Sequence, residues 1–284
     1  MSLEREFDKL DKQINRLLND SEKEIGKKYS AMLRELRHKV SDYFAEYADT
    51  DDALTLQAMQ KYNRLDKFNK EIAELARKNY TPVAREIRKG IRSSLTTSFD
   101  QTTGAVGEAA GRTIRGVLKQ ETVNEIVQTP HSGLKLNERL QRRRADVTQR
   151  IRETLTQGMN RGERYSTMSK RLQREIEVDA PKAERIIRTE SHRVQEEGKR
   201  KGIEHATKQG VQMVKWWKDS SDERVRDQHE HMGQKYSKEN AIPTDEDFVN
   251  DLTGGSGPAP GQLGVAEDDI FCRCLAIYEV VEVE

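Results

Sequence analysis

Three clusters near the C-terminus combine side chains able to move protons, grip phosphate or hold a metal. Between Trp216 and Gln234 the chain crowds together Asp222, Arg224, Arg226, Asp227, His229 and His231. Imidazole titrates near neutrality and arginine stabilises phosphate charge, so an Asp222/Arg224/His229 set could do general acid–base work on a phosphodiester. The same residues could equally form a salt-bridged loop that pins a strand to a helix. In the second cluster Cys272 and Cys274 flank Arg273, and on a strand both thiols would point to one face. With His229 and His231 they would complete a Cys₂His₂ set suited to tetrahedral Zn²⁺. The C-x-C spacing is not the usual knuckle, and H-x-H converges only on an extended backbone, so two small buried thiols beside Phe271 are the alternative. The third cluster is Arg188-Thr189-Glu190 with His192 and Arg193. On a helix Arg188 and His192 share a face while Glu190 lies about 200° round, so these do not make one site alone.

The 50 Lys and Arg nearly cancel the 49 Asp and Glu, a net charge of +1, but they are unevenly placed. Residues 240–284 hold ten acids against Arg273, leaving +10 on residues 1–239. Residues 139–174 carry Arg139, Arg142, Arg143, Arg144, Arg150, Arg152, Arg161, Arg164, Lys170, Arg171 and Arg174 against Asp146, Glu153 and Glu163. This stretch is either a polyanion-binding face or a solvated helix face. Two cysteines exclude a disulfide scaffold. No run approaches the roughly 18 apolar residues of a membrane span, and no basic-then-apolar leader opens the chain, so neither a membrane partner nor signal-peptide export is expected.

The elements around these clusters read as mainly α: a long N-terminal helical region followed by a small α+β C-terminal domain. Residues 1–130 are expected to be helical and coiled-coil-like, 131–182 an arginine-rich helical linker, and 183–284 the α+β domain. Leu3, Phe7, Leu10, Ile14 and Leu17 step as a heptad seam, which resumes after a slip near Ser21 as Ile25, Tyr29, Met32, Leu36 and Val40. Asp49–Asp52 should close this helix, and a second stripe runs Leu54, Ala58, Tyr62, Leu65, Ile72, Leu75. Thr81-Pro82 and Asp179-Pro181 predict fresh helix starts, with a kink as the alternative at Pro82. Gly104, Gly107 and Gly111 would admit a close backbone or merely weaken a helix, and residues 129–133 are a break. Two amphipathic helices joined at Gly158/Gly162 follow, then a helix stopping at Gly210, a strand through Trp216 and Trp217, a mobile loop over 253–264, and a final alternating strand from Ile270.

The order of these signals is more specific than any one of them: RIIRTESH, a helix ending at Gly210, KWWKD, DERVRDQHEHMGQ, Pro260-Gly261, then FCRC. Over about residues 130–280 this succession resembles the Mu F-like family of minor head proteins of tailed bacteriophages, also called phage head morphogenesis proteins. Arg188, Thr189, Glu190, Trp217, Asp222, Arg224, His229, Gly233, Cys272, Arg273 and Cys274 carry the resemblance. Gln262 stands where the family's loop commonly has an acid. The resemblance implies a structural role in the capsid interior of a phage or prophage virion, reached through the host cytoplasm during assembly. The implied partners are the portal protein, scaffold or major capsid protein, and double-stranded DNA bound without sequence specificity by the arginine-rich helices at 139–174, with the heptad stripe at 3–47 suited to portal docking or homo-oligomerisation. It implies no enzymatic activity and no cofactor beyond the Zn²⁺ that His229, His231, Cys272 and Cys274 could hold. Some relatives carry a C-terminal toxin domain, and with ten residues after Cys274 none is expected here. The competing expectation is a nuclease or an ADP-ribosyltransferase-like enzyme using Asp222, Arg224 and His229. Glu282-Val283-Glu284 mimics the Glu-x-Glu of the latter class but lacks its Ser-Thr-Ser companion.

Overall fold

A computed structural model describes residues 2–131 and 133–283. The first helix, α1, spans Leu3–Tyr47. A row of buried positions runs Phe7, Leu10, Ile14, Leu18, Ser21, Ile25, Tyr29, Met32, Leu36, Val40 and Tyr43. They recur in steps of three, four and four, an 11-residue repeat that stays close to the natural pitch of a straight helix. Leu18 therefore replaces Leu17 in the stripe, and buried Ser21 fills the step where a heptad reading needs a slip. The stripe is covered by the chain's own elements: Phe7 lies edge-on to Tyr278 at 5.8 Å and Tyr43 to Phe68 at 4.7 Å. It is thus core, not the open oligomerisation seam expected from its spacing.

Asp49 closes α1 by accepting from the Asp51 and Ala53 amides at 3.0 Å. Thr55 caps the short α2 (Leu56–Gln60), and Tyr62 and Asn63, both in the left-handed region, end it. The long second helix, α3 (Arg64–Ala109), consequently begins ten residues later than the stripe from Leu54 suggests. Phe68, Ile72, Ala76 and Tyr80 are its buried row, while Tyr62 is exposed. No fresh start occurs at Pro82, which lies inside α3, or at Pro181, which lies inside α6 (Tyr165–Thr207). A proline interior to a helix costs about 3 kcal/mol. The apolar rows on either side, Tyr80 with Val83 and Ile87, and Ile176 with Ala183 and Ile187, remain buried in register and hold each helix through it.

Gly111 ends α3 in the left-handed conformation, with the Arg112 amide donating to the Gly107 carbonyl at 2.9 Å. A Cβ on Gly107 would meet the Arg112 carbonyl at 2.7 Å, so the close approach expected there is made by the returning chain itself. Gly104 faces open space. The close helix–helix approach uses other glycines: a Cβ on Gly198 of α6 would stand 2.6 Å from the Leu95 carbonyl of α3, and one on Gly202 would press on Thr102. The helix α4 (Gln120–Gln128) precedes the break at 129–134, of which Ser132 lies outside the described residues, and α5 (Leu136–Asn160) joins α6 through a turn at Gly162.

Two compact units emerge, both discontinuous in sequence. The helical unit comprises Ser21–Ile87 and Asn137–Glu184, and thus four long helical segments with α2. Its interior polar centre is Asp179, fully buried, which accepts from Tyr29 Oη at 2.6 Å, Arg150 at 2.7 Å and Arg143 Nε at 2.9 Å. The α+β unit comprises the chain up to Asp20, Arg88–Leu136 and Arg185 onward. It contains β1 (Val211–Lys218), α7 (Asp227–Lys235), β2 (Ile242–Pro243), β3 (Phe248–Val249), β4 (Ser256–Gly257), α8 (Ala266–Asp269) and β5 (Leu275–Val283). The main sheet is antiparallel in the order β2-β1-β5, with Trp217 opposite Ala276. Among the described residues no helix is long and apolar enough to cross a membrane.

Two expectations about the C-terminal region change. Residues 253–264 are folded: β4 pairs with β3, and buried Asp269 accepts from the Leu263 and Gly264 amides at 2.8 and 2.9 Å. Buried Lys215 also donates to the Pro258 carbonyl at 2.8 Å. Glycines there serve tight packing, since a Cβ on Gly257 would collide with the Gln262 carbonyl. The last strand starts only at Leu275. Residues 270–274 are irregular, with Phe271 at a positive φ of 56°.

Candidate functional site

The motif residues of the sequence converge within the α+β unit. α7 follows the loop after β1 and faces the Cys272–Cys274 segment. His229, on the inner face of α7, is buried and places Nδ1 3.3 Å from Cys274 Sγ and 3.8 Å from Cys272 Sγ. The three donor atoms lie within 4.8 Å of one another. Burial, with Cys274 alongside, pushes the Cys272 thiol well above its ordinary pKa. Trp217 of β1 packs edge-on to the His229 ring at 5.9 Å and to Phe248 at 5.4 Å, forming the apolar wall. His231 does not join. Two positions along a helix turn it to the opposite face, where it stands partly exposed, 3.8 Å from Asp251. The Cys₂His₂ set expected from the sequence is therefore a Cys₂His group.

Behind His229, Nε2 faces Asp268 Oδ1 at 3.8 Å. Asp268 is buried and accepts from Asn250 Nδ2 at 3.1 Å and from the Thr253 hydroxyl. Asp268 and Asp269 thus anchor the folded loop from inside, although they count in the sequence as part of an acidic tail. Gly233 lets Asp219 approach α7, since a Cβ there would meet the carboxylate at 2.6 Å.

Beside this group opens a cleft of about 920 Å³ lined by Arg188, His192, Asp222, Arg224, Cys272 and Arg273 among others. At its rim Asp222 and Arg273 are paired. Arg273 grips both oxygens of Asp222, one contact measuring 2.7 Å, and the Arg224 amide donates to Asp222 at 3.0 Å. This pairing holds the Asp222 carboxyl far below the usual range. Arg188 donates to Asn19 at 2.9 Å, and the buried Arg193 joins Glu190 to the Ile126 carbonyl. His192 Nε2 contacts the Cys274 carbonyl at 2.8 Å, and burial pushes its pKa down to about 4, so the ring is neutral. Asp222 is thus committed to Arg273 at the rim while His229 is committed to the thiols inside, and the two do not form an acid–base set. Gln262 donates to the Arg193 carbonyl at 3.0 Å. An acid there would set one acceptor against another. Of the Glu-x-Glu mimic, Glu282 is exposed on β5 and Glu284 lies outside the described residues.

The arginine-rich stretch divides. Arg143 and Arg150 are internal partners of Asp179, and Arg139 is half-buried and already partnered. Arg142 is exposed, and Arg144 and Arg152 line a groove of about 880 Å³ in the helical unit together with Lys70, Arg77, Glu74 and Glu153. Sequence reasoning missed Lys70 and Arg77, which lie far from the arginine run along the chain and reach it only through packing.

The α+β unit thus arranges the RTESH helix, the Trp strand, the His229 helix and the Cys-Arg-Cys segment around one buried group. Residues 149–277 match the family described as Phage Mu protein F like protein. The chain is 29% identical over 274 residues to the minor head protein GP7 of Bacillus phage SPP1, covering 96% of this chain and 86% of that protein. Residues 149–277 are thus similar to the Mu F-like family, and nearly the whole chain is similar to a minor head protein. It is also 30% identical over 166 residues to the NAD(+)--arginine ADP-ribosyltransferase EFV of Enterococcus faecalis, a match covering 58% of this chain and 32% of that protein. No solved structure matches.

Proposed function

We propose that the protein is a structural component of a tailed-phage or prophage head, acting in head morphogenesis in association with the portal protein and in contact with DNA. The observation that carries this reading is the similarity to a minor head protein along nearly the whole chain. Its place is the virion interior, with scaffold or major capsid protein as further neighbours. The reading is non-enzymatic, supported by the engagement of Asp222 with Arg273 and of His229 with the two thiols. Metal-dependent DNA cleavage abolished by His229→Ala would overturn that part.

For DNA, the supporting feature is the groove that gathers Lys70, Arg77, Arg144 and Arg152, with exposed Arg142 nearby in sequence. Such cations contact phosphates, so binding is indifferent to sequence and falls steeply with salt. Replacing Arg142, Arg144 and Arg152 by Ala is expected to weaken duplex binding and to flatten the salt dependence by about one unit of slope per lost contact. Arg143 is left intact because Asp179 depends on it. Unchanged affinity across a salt titration overturns the DNA contact. Co-purification with the portal protein of the same genome tests the head assignment, and its absence from procapsids overturns it.

A further inference from the structure

We infer that His229, Cys272 and Cys274 bind one divalent transition-metal ion of the Zn²⁺ type, through His229 Nδ1 and the two thiolates. This inference stands apart from the head assignment and uses only the α+β unit.

The spacing matches the ion. Zn–S bonds of about 2.3 Å and Zn–N bonds of about 2.0 Å, at tetrahedral angles, set the donor atoms about 3.5 to 3.8 Å apart. The Nδ1···Sγ separations are 3.3 and 3.8 Å, and all three donors fit within 4.8 Å. Two soft thiolates and an imidazole favour Zn²⁺ over Mg²⁺ or Ca²⁺, which take oxygen. A solvent molecule completes the tetrahedron of such a three-ligand centre.

The surroundings support the ligands. His229 Nε2 is buried and makes no hydrogen bond, and Asp268 stands 3.8 Å behind it. With Nδ1 on a metal, the proton must sit on Nε2, facing that carboxylate, the arrangement that orients metal-bound histidines. Asp268 is itself fixed by Asn250 and Thr253. Phe271, an aromatic residue in the left-handed region, immediately precedes Cys272, and both thiols lie against His229. A bulky residue keeps that conformation only where its surroundings impose it.

The test uses the full chain, purified without chelator. Native mass spectrometry is expected to show one Zn²⁺ per chain, removed by a strong chelator and restored by ZnCl₂ alone. Co²⁺ replacement is expected to give the visible bands of a tetrahedral ion together with thiolate charge-transfer absorption. Cys274→Ser is expected to weaken Co²⁺ binding by more than about 100-fold, and Asp268→Asn, acting through His229, by about 10- to 100-fold. His231→Ala leaves binding unchanged. Less than about 0.1 equivalent of metal in wild-type protein that also fails to take up Co²⁺ overturns the site. So does a Co²⁺ spectrum without thiolate absorption. Both of these readouts use the wild-type chain, so a variant that fails to fold cannot obscure them.

Discussion

Lys199→Met should destabilise the α+β unit, and more at alkaline than at acidic pH. Lys199 and Glu196 lie on α6 beneath β5, an edge strand of the main sheet, and together satisfy one residue of its outer edge. The Ala276 amide donates to Glu196 at 3.1 Å, and Lys199 donates to the Ala276 carbonyl at 2.8 Å. The ammonium and carboxylate sit 2.6 Å apart, both essentially inaccessible to solvent. Burial raises the Glu196 pKa to about 7, and Lys199 is the strongest influence pulling it back down. Because folding raises this pKa, the carboxyl favours the folded chain fully below its unfolded value. That contribution is lost as pH climbs through about 7. Methionine removes the counter-charge, so the pKa rises further and the loss grows. At pH 5.5 Glu196 stays protonated, and the cost is the orphaned Ala276 carbonyl, about 1–3 kcal/mol. At pH 8 an unpaired carboxylate must be buried or forced to hold a proton, for a total of about 3–5 kcal/mol. Urea unfolding followed by the fluorescence of Trp216 and Trp217, both on β1 of the same unit, measures the difference. A loss under about 1 kcal/mol at pH 8, or an equal loss at both pH values, refutes the reasoning.

In the helical unit, Asp179→Ala removes the acceptor shared by Arg143, Arg150 and Tyr29 and leaves the buried Tyr29 hydroxyl without it, so it should lower stability by about 1–3 kcal/mol in urea titrations. A change below about 1 kcal/mol would mean that water reaches that centre. Gly198→Ala forces a methyl against the Leu95 carbonyl, which has no rotamer with which to yield. Thermal melts should show a loss of about 1–3 kcal/mol. Gly104→Ala, with nothing within 4 Å of the new Cβ, should instead be neutral or gain up to about 1 kcal/mol from helix propensity.

Much of the fold is written in local periodicity. The stripe of α1, the turn at Asp49, the glycine stops at Gly162 and Gly210, and the β-prone run through Trp217 each follow from neighbours along the chain, and motif order alone pointed to the Mu F-like family. Local reasoning failed where distant segments settle the outcome. Pro82 and Pro181 break no helix because buried rows on both sides hold them. Residues 253–264, polar and glycine-rich, fold because Asp269 and Lys215, distant or buried, supply hydrogen bonds. Net charge could not separate Arg143 and Arg150, which serve Asp179, from Arg144 and Arg152, which face a groove with Lys70 and Arg77. The sequence by itself determined which residue types were available, two thiols, a His229–His231 pair and a dense set of arginines. Only the tertiary structure decided that one histidine turns inward to both cysteines while the other turns out, because a helix rotates alternate residues to opposite faces and the Cys272–Cys274 segment packs against the inner one.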